Sequence, residues 1–146
     1  MSDDADPAPE PTYRLEEQVG FLLRQVNQRH AGLFAAAFGD DLTAMQWAAL
    51  AKLAELGECS QNLLGRHVSM DNATAKGVVD RLIRRGYATT RQDPADRRRI
   101  VVSPSEAGRA VVASLTARAL DVSRATLEPL APAERETFLS LLRKLR

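Results

Sequence analysis

Three consecutive arginines at residues 97–99 are the side chains whose type and spacing most clearly suggest a binding function in this sequence. A guanidinium group is permanently charged, and its planar fork of N–H donors matches the oxygens of a phosphate. The turn formers Asp93 and Pro94 precede the arginines, and β-branched residues at 89–90 and 100–102 flank them, which predicts a hairpin. The stretch alone leaves two interpretations open: a solvated turn with a charge cluster, or a β-wing that contacts phosphate.

Side chains that could support catalysis or bind a metal are few. Cys59 is the single cysteine, so it cannot form an internal disulfide, and His30 and His67 are too few to indicate a zinc site. Cys59 and His67 could meet as nucleophile and base, but neither a strand-turn elbow nor a glycine-rich phosphate loop accompanies them. We therefore expect no enzyme, no bound metal and no other cofactor.

Length and charge distribution narrow the class of protein further. A chain of 146 residues suits one compact domain. It has neither a run of about 18 apolar residues nor a secretory signal, so we expect a cytoplasmic protein with no membrane contact. The net charge is only +1, yet residues 60–110 contain ten basic residues against five acidic ones, whereas residues 1–59 contain four against ten. Such a local basic patch can attract a polyanion.

The N-terminal third predicts a tail and two helices. Residues 1–12 are acidic and proline-rich, which predicts a disordered tail. Gly39 should end a long amphipathic helix over residues 13–38, and Thr43 should cap a second helix that stops at Gly57. The apolar residues of the first helix recur at steps of three and four: Leu15, Val19, Leu22, Val26, Leu33 and Ala37.

The basic middle of the chain has the pattern of a helix-turn-helix. Ser60 is a plausible N-cap for a short helix, and Ser69 or Asp71 can cap the next one, which Gly86 stops. One face of this second helix is apolar, and the opposite face is polar or basic. Two short helices followed by a hairpin with a basic tip are the elements of a winged helix-turn-helix.

The C-terminal part predicts two further amphipathic helices. Ser103, Pro104 and Glu106 fit the N-cap, first and third positions of a capping box, and Pro132 fits the first turn of the last helix. The apolar positions of both helices are more numerous than a solvent-exposed helix needs. These helices should therefore pack against a partner.

Three stretches of this sequence, residues 78–87, 93–99 and 103–108, resemble the MarR family of bacterial winged-helix repressors in their order and spacing. The resemblance covers roughly residues 15–146. One departure is that Ser103-Pro104-Ser105 stands where many members have a leucine-threonine pair.

The resemblance implies a mainly α fold with a small β-wing. A winged helix-turn-helix lobe at residues 43–103 would bind DNA. The helix at 13–38 and the helices at 104–146 of two chains would form an all-helical dimerisation layer. The implied function is a homodimeric transcriptional repressor whose partner is double-stranded DNA with a pseudo-palindromic operator.

The same resemblance assigns roles to residues near DNA. A recognition helix at residues 71–85 would enter the major groove, where Asn72 could read adenine and Ala73 could contact a thymine methyl. Arg97 would enter the minor groove, and Arg98 would brace the wing by pairing with Asp80 or Asp96. The residues expected to contact DNA are Ser60, Gln61, Asn72, Ala73, Thr74, Lys76, Arg81, Arg97 and Arg99.

The sequence gives the least specific indication of how the protein would be regulated. A small effector, such as an aromatic carboxylate or its thioester, is typical of the family and would release the operator. Its candidate residues, each of which could equally be a core or interface residue, are Phe21, Arg24, His30, Phe34, Met45, Trp47, His67 and Met70. Two alternatives remain open: a redox sensor that acts through Cys59, and a winged helix that binds RNA or protein.

Overall fold

The computed structural model describes residues 10–146, so most of the predicted tail at residues 1–12 lies outside the described residues. The described chain is mainly helical with one small sheet, which confirms the predicted fold class. None of the helices within residues 10–146 is long and apolar enough to cross a membrane. The elements are a 3-10 turn at Leu15–Glu17, α1 Val19–Phe38, α2 Ala44–Leu56, β1 Cys59–Ser60, α3 Gln61–His67, α4 Asn72–Arg84, β2 Ala88–Gln92, β3 Ile100–Pro104, α5 Glu106–Leu127 and α6 Pro132–Lys144.

The sheet has three antiparallel strands in the order β1-β3-β2. In the predicted hairpin, Thr90 pairs with Val102 and Gln92 pairs with Ile100. The two-residue strand β1 pairs Cys59 with Val102 on the other side of β3. β3 is therefore the central strand, and its buried valines attach the wing to the helices.

One hydrophobic core joins the helix-turn-helix, the base of the sheet and the helices that flank them. Leu50, Leu64, Leu82 and Val102 contribute from α2, α3, α4 and β3, and each is at most 1% exposed. Apolar side chains at helical spacing on α4 face this core, which leaves the polar side of that helix outside. The core thus fixes which side of α4 is available to a partner.

The N-caps predicted for the first three helices of this lobe are present. Thr43 forms a capping box with Gln46, in which each side chain bonds to the backbone of the other residue. Ser60 Oγ accepts from the Leu63 amide at 3.2 Å, and Asp71 Oδ1 accepts from the Thr74 amide at 2.7 Å. Of the two caps considered for α4, Asp71 is therefore the one used.

The predicted start of α5 was wrong by two residues. Ser103 and Pro104 belong to β3, where Ser103 pairs with Thr89. Ser105 is the actual N-cap, because its Oγ accepts from the Gly108 amide at 3.0 Å. The Ser105 amide donates to the Tyr87 carbonyl at 2.9 Å, and its Oγ donates to the Gly86 carbonyl at 2.6 Å. These contacts with Gly86 and Tyr87 extend the hairpin to Pro104 and move the start of the helix to Glu106.

The helix predicted over residues 13–38 is interrupted. Gln18 is extended, and it separates the 3-10 turn from α1. Within α1, the C-terminal apolar residues pack on the core, whereas Val19, Leu22 and Val26 are 46–66% exposed. Within this chain, only the C-terminal part of the apolar face of α1 is packed against the core.

The C-terminal end of α5 is tied to α1 by an arginine. The last carbonyls of a helix have no partner within the helix. Arg29 donates to the carbonyls of Thr126 at 2.7 Å and Ala125 at 2.9 Å, which satisfies two of them. α6 follows without a single buried residue, and Leu139 and Leu141 on the helix and Leu145 at its C-cap are exposed.

Gly108 is required by the contact between α5 and the base of the wing. A Cβ atom at this position would lie 2.1 Å from the Tyr87 carbonyl oxygen, which is itself held by the Ser105 amide. We expect Gly108→Ala to lower the free energy of unfolding by about 1–3 kcal/mol, because this backbone has little room to move. Denaturant unfolding measures this.

Gly77 provides the matched control, since it also lies inside a helix. A Cβ at Gly77 would meet only the Arg81 guanidinium, at 3.8 Å. Gly77→Ala should therefore raise the free energy of unfolding by up to about 1 kcal/mol through helix propensity. Equal changes in the two variants would contradict the role assigned to Gly108.

The cap of α4 should make stability depend on pH. Hydrogen bonds from Thr74 hold the pKa of the Asp71 carboxyl below its ordinary value. A carboxyl with a depressed folded-state pKa stabilises the fold above its unfolded pKa of about 3.9, and it loses this contribution as pH falls further. We expect the melting-temperature difference between the wild type and Asp71→Asn, which keeps an acceptor but no charge, to change only below about pH 4. A difference that is constant between pH 3 and 7 would contradict this.

Candidate nucleic-acid interface

α4 presents a polar face opposite the core. Ala75, Val78, Val79 and Leu82 are buried, whereas Asn72, Ala73 and Lys76 are exposed and Thr74 is half-buried. The side chains predicted to read bases therefore lie together near the N-terminus of α4. The amide of this first turn at Thr74 is occupied by the Asp71 cap.

The basic residues of α4 are partly engaged with the helix itself. Lys76 Nζ lies 2.8 Å from Asp80 Oδ2, and the two side chains are 66% and 40% exposed. An exposed pair of this kind contributes little to stability, so Lys76 is free to exchange Asp80 for a phosphate or a base. Arg81 is exposed, and its guanidinium passes over Gly77.

The loop at the wing tip, residues 93–99, is held by two aspartates. Asp93 Oδ1 accepts from the Ala95 amide at 2.9 Å, and Asp96 Oδ1 accepts from the Arg98 amide at 3.0 Å. Backbone bonds join Asp93 to Arg99 and Arg99 to Asp96, each at 2.9 Å. The tip is therefore an ordered turn that holds its three arginines outward.

The three arginines differ in their contacts. Arg97 is exposed and forms no side-chain hydrogen bond or ion pair with the residues described, whereas Arg99 lies 3.8 Å from Asp93. Arg98 is 93% exposed, and its Nε lies 3.4 Å from Asp96. The pair of Arg98 with Asp80 is not formed, and Asp80 binds Lys76. Of the two brace partners considered, Asp96 is the one in contact, and it lies within the wing.

A polar cleft of about 420 Å³ separates α3 from the wing. Ser60 lies at its edge with its hydroxyl used to cap α3, and Gln61 is half-buried beside it. Arg66 was not predicted as a site residue, although its spacing from Asn62 places both on one face of α3. The side chains that line the cleft are Ser60, Gln61, Asn62, Arg66, Asp96, Arg98, Arg99 and Ile100.

The eight candidate effector residues do not gather around one cavity. Phe34 and Trp47 belong to the core: Phe34 stacks on Phe38 at 4.1 Å, and Trp47 lies 5.3 Å from the same ring. Met70 also packs against the core. Arg24, Met45 and His67 are exposed, and Phe21 is half-buried.

His30 is the candidate that lines a cavity, of about 350 Å³, between α1, α5 and α6. Its walls are mainly apolar, and several of its leucines belong to the exposed surface of the helical layer. The lining residues are Leu23, Val26, Asn27, His30, Ser123, Thr126, Leu127, Phe138, Leu139 and Leu142. The cavity therefore lies within the helical layer rather than beside the helix-turn-helix, where Met45, His67 and Met70 were expected to contribute.

His30 is held in one orientation by the neighbouring helix. Its Nδ1 lies 2.8 Å from Thr126 Oγ1, and that hydroxyl donates its hydrogen to the Val122 carbonyl. In the neutral tautomer that donates from Nδ1 to this hydroxyl, Nε2 is an acceptor. The histidine thus brings one defined polar group to an otherwise apolar cavity.

Cys59 is a poor candidate for redox chemistry. It is 9% exposed within β1, and burial raises the pKa of its thiol. The reactive form of a cysteine is the thiolate, which a raised pKa disfavours.

Comparisons with known proteins agree with this geometry. The family model described as MarR family matches residues 42–100, from the start of the α2 region to the first residue of β3. The transcriptional repressor NicR of Pseudomonas putida is 37% identical over 134 residues, which cover 91% of this chain and 85% of NicR.

Two solved structures share the fold over nearly the whole chain. A probable transcriptional regulator from Pseudomonas aeruginosa has a TM-score of 0.88 and 51% identity, covering 91% of this chain and all of that one. BpsR of Bordetella bronchiseptica, whose DNA binding is regulated by 6-hydroxynicotinic acid, has a TM-score of 0.89 and 38% identity, covering 92% of this chain and 97% of BpsR. With these likenesses and the polar helix and basic wing described above, the chain belongs to the MarR family of DNA-binding transcriptional regulators.

Proposed function

We propose that the protein is a homodimeric repressor that leaves its operator when a small aromatic acid binds. The observation that carries the proposal is the separation of two surfaces. The polar face of α4 and the wing arginines form a basic surface, whereas α1, α5 and α6 expose apolar side chains. The first surface suits DNA, and the second suits another copy of the helical layer.

The exposed apolar side chains support the dimer. Val19, Leu22, Val26, Leu120 and Leu141 are 46–66% exposed, and they lie on three helices of the same layer. A helical layer that exposes this many large apolar side chains is typical of a surface that contacts another protein. A second copy related by two-fold symmetry would cover it and would present two α4 helices to a pseudo-palindromic operator, about 34 Å apart.

Each element of the DNA surface has a proposed role. Asn72, Ala73, Thr74 and Lys76 would face bases in the major groove, where an asparagine amide can bond an adenine edge. Arg97 would enter the minor groove, which attracts guanidinium groups where it is narrow. Ser60, Gln61, Arg81 and Arg99 would contact the sugar-phosphate backbone.

The cavity between α1, α5 and α6 is our proposed effector site. Its volume of about 350 Å³ falls within the range of about 300–1,000 Å³ typical of small-molecule sites. The apolar walls suit an aromatic ring, and His30 Nε2 can accept from a hydroxyl group on that ring. Since NicR is named a repressor and BpsR responds to 6-hydroxynicotinic acid, we infer a hydroxylated heteroaromatic acid as the effector class.

Arg97 and Arg98 test the DNA surface. We expect Arg97→Ala to weaken operator binding and to reduce the slope of log affinity against log salt by about one, since one charged contact is lost. Neither Arg97→Ala nor Arg98→Ala should change the melting temperature appreciably, because both side chains are exposed. Fluorescence anisotropy at several salt concentrations measures the slope. An unchanged slope in Arg97→Ala would contradict the minor-groove contact.

His30 tests the effector site, with His67 as its matched control. At 6-hydroxynicotinic acid concentrations about 100-fold above Kd, binding should stabilise the folded protein by about 2.7 kcal/mol. His30→Gln should lose most of the resulting rise in melting temperature, whereas His67→Gln, on exposed α3, should keep it. The reverse result would place the effector beside the helix-turn-helix.

A further inference from the structure

The cleft between α3 and the wing has the chemistry of an anion site. Three arginines line it, Arg66, Arg98 and Arg99, against one acidic residue, Asp96. The amide side chains of Gln61 and Asn62 add uncharged donors to the same wall. Apolar side chains contribute little to the lining, so the cleft is suited to a hydrated, charged group.

The positive charge of the cleft is poorly compensated within the protein. Arg66 is exposed and forms no side-chain hydrogen bond or ion pair with residues 10–146. Arg98 meets Asp96 at 3.4 Å, and Arg99 meets Asp93 only at 3.8 Å. Asp96 Oδ1 also accepts from the Arg98 amide, so its charge is partly used to hold the turn. At least one guanidinium fork is therefore available to an external anion.

The position of the cleft favours a DNA phosphate over a free anion. α3 packs closely on α4 and on the turn before it, since a Cβ atom at Gly65 would lie 3.3 Å from the Ala75 Cβ and 3.0 Å from the Met70 carbonyl oxygen. In the proposed complex, α4 occupies the major groove and Arg97 occupies the adjacent minor groove. The sugar-phosphate backbone runs between two adjacent grooves, and the cleft lies between α3, which precedes the groove-binding helix, and the wing.

We propose that the cleft binds one backbone phosphate of the operator strand that passes between α3 and the wing, with Arg66 as a phosphate-binding residue. This rests on the proposed operator-binding function. Arg66 approaches the phosphate from α3, and Arg98 and Arg99 approach it from the wing. Because the two walls belong to different elements, the phosphate also fixes the wing relative to the helix-turn-helix. Asp96 opposes the phosphate by charge and limits the affinity.

Arg66→Gln is the direct test. The slope of log affinity against log salt is measured by fluorescence anisotropy between about 50 and 200 mM salt. For Arg66→Gln this slope should be about one less negative than for the wild type. Operator and scrambled DNA should weaken by a similar factor, since a phosphate carries no sequence. Arg66→Lys should restore most of the slope. Arg124→Gln removes the same charge from exposed α5 and should leave the slope unchanged.

Asp96→Asn should change the affinity for DNA in the opposite direction. The asparagine keeps an oxygen for the Arg98 amide, so the turn should persist, while the charge that repels phosphate is removed. Binding to both DNAs should tighten severalfold, and this gain should fall when Arg66→Gln is added. Unchanged melting temperatures of all variants would show that folding is not the cause.

Two outcomes would overturn the proposal. One is a wild-type salt slope in Arg66→Gln. The other is a rise in melting temperature with inorganic phosphate, at matched ionic strength, that is lost in Arg66→Gln although the salt slope of DNA binding does not depend on Arg66. The cleft would then bind a free anion rather than DNA. A wild-type protein that binds no duplex would instead refute the proposed function itself.

Discussion

The junction between Tyr87 and the start of α5 is the contact on which the arrangement of this protein depends. The Tyr87 carbonyl follows the end of α4, accepts from the Ser105 amide, and lies against Gly108. Ser105 Oγ at the same time donates to Gly86 and caps α5. The end of α4, the base of the wing and the first turn of α5 are thus fixed to one another within a few ångströms. A side chain at position 108 would separate them.

Electrostatics divide the surface in a way that the net charge conceals. With a net charge of +1, the whole chain exerts little long-range attraction on DNA. The basic residues, however, are concentrated in α3, α4 and the wing, where aspartates hold turns and helix ends rather than cancel each guanidinium. Asp71, Asp93 and Asp96 therefore combine two effects: they order α4 and the wing, and they moderate the attraction that these basic elements exert on a polyanion.

The parts of the fold that were predictable from sequence are those set by local chemistry. Thr43, Ser60 and Asp71 cap helices through bonds that span three residues, so a short window of sequence identifies them. The start of α5 could not be chosen this way, because Ser103 and Ser105 are equally good caps and a bond to distant Tyr87 decides between them.

In the candidate site, too, only the features set by local sequence were predictable. The polar face of α4 and the arginines of the wing follow from periodicity and turn signals, whereas Arg66 gains its significance only when the wing folds beside α3. Phe34 and Trp47 were candidate effector residues by type, but large aromatic side chains suit a core equally well, and their packing around Phe38 decides the matter. Conversely, Thr126 and Phe138 line the cavity near His30 because α5 and α6 fold back over α1.

α5 is the element through which an occupant of the cavity could affect the DNA surface. Its last turns line the cavity through Ser123, Thr126 and Leu127, and its first turn is fixed to the wing through Ser105 and Gly108. At 1.5 Å per residue the helix is about 30 Å long, so a rotation of about 5° at one end displaces the other by about 2–3 Å. A displacement of this size is comparable to the length of a hydrogen bond, and contacts between arginine and phosphate do not survive it. In the proposed dimer the two wings would move together, so a small change around His30 would weaken both halves of the proposed operator contact.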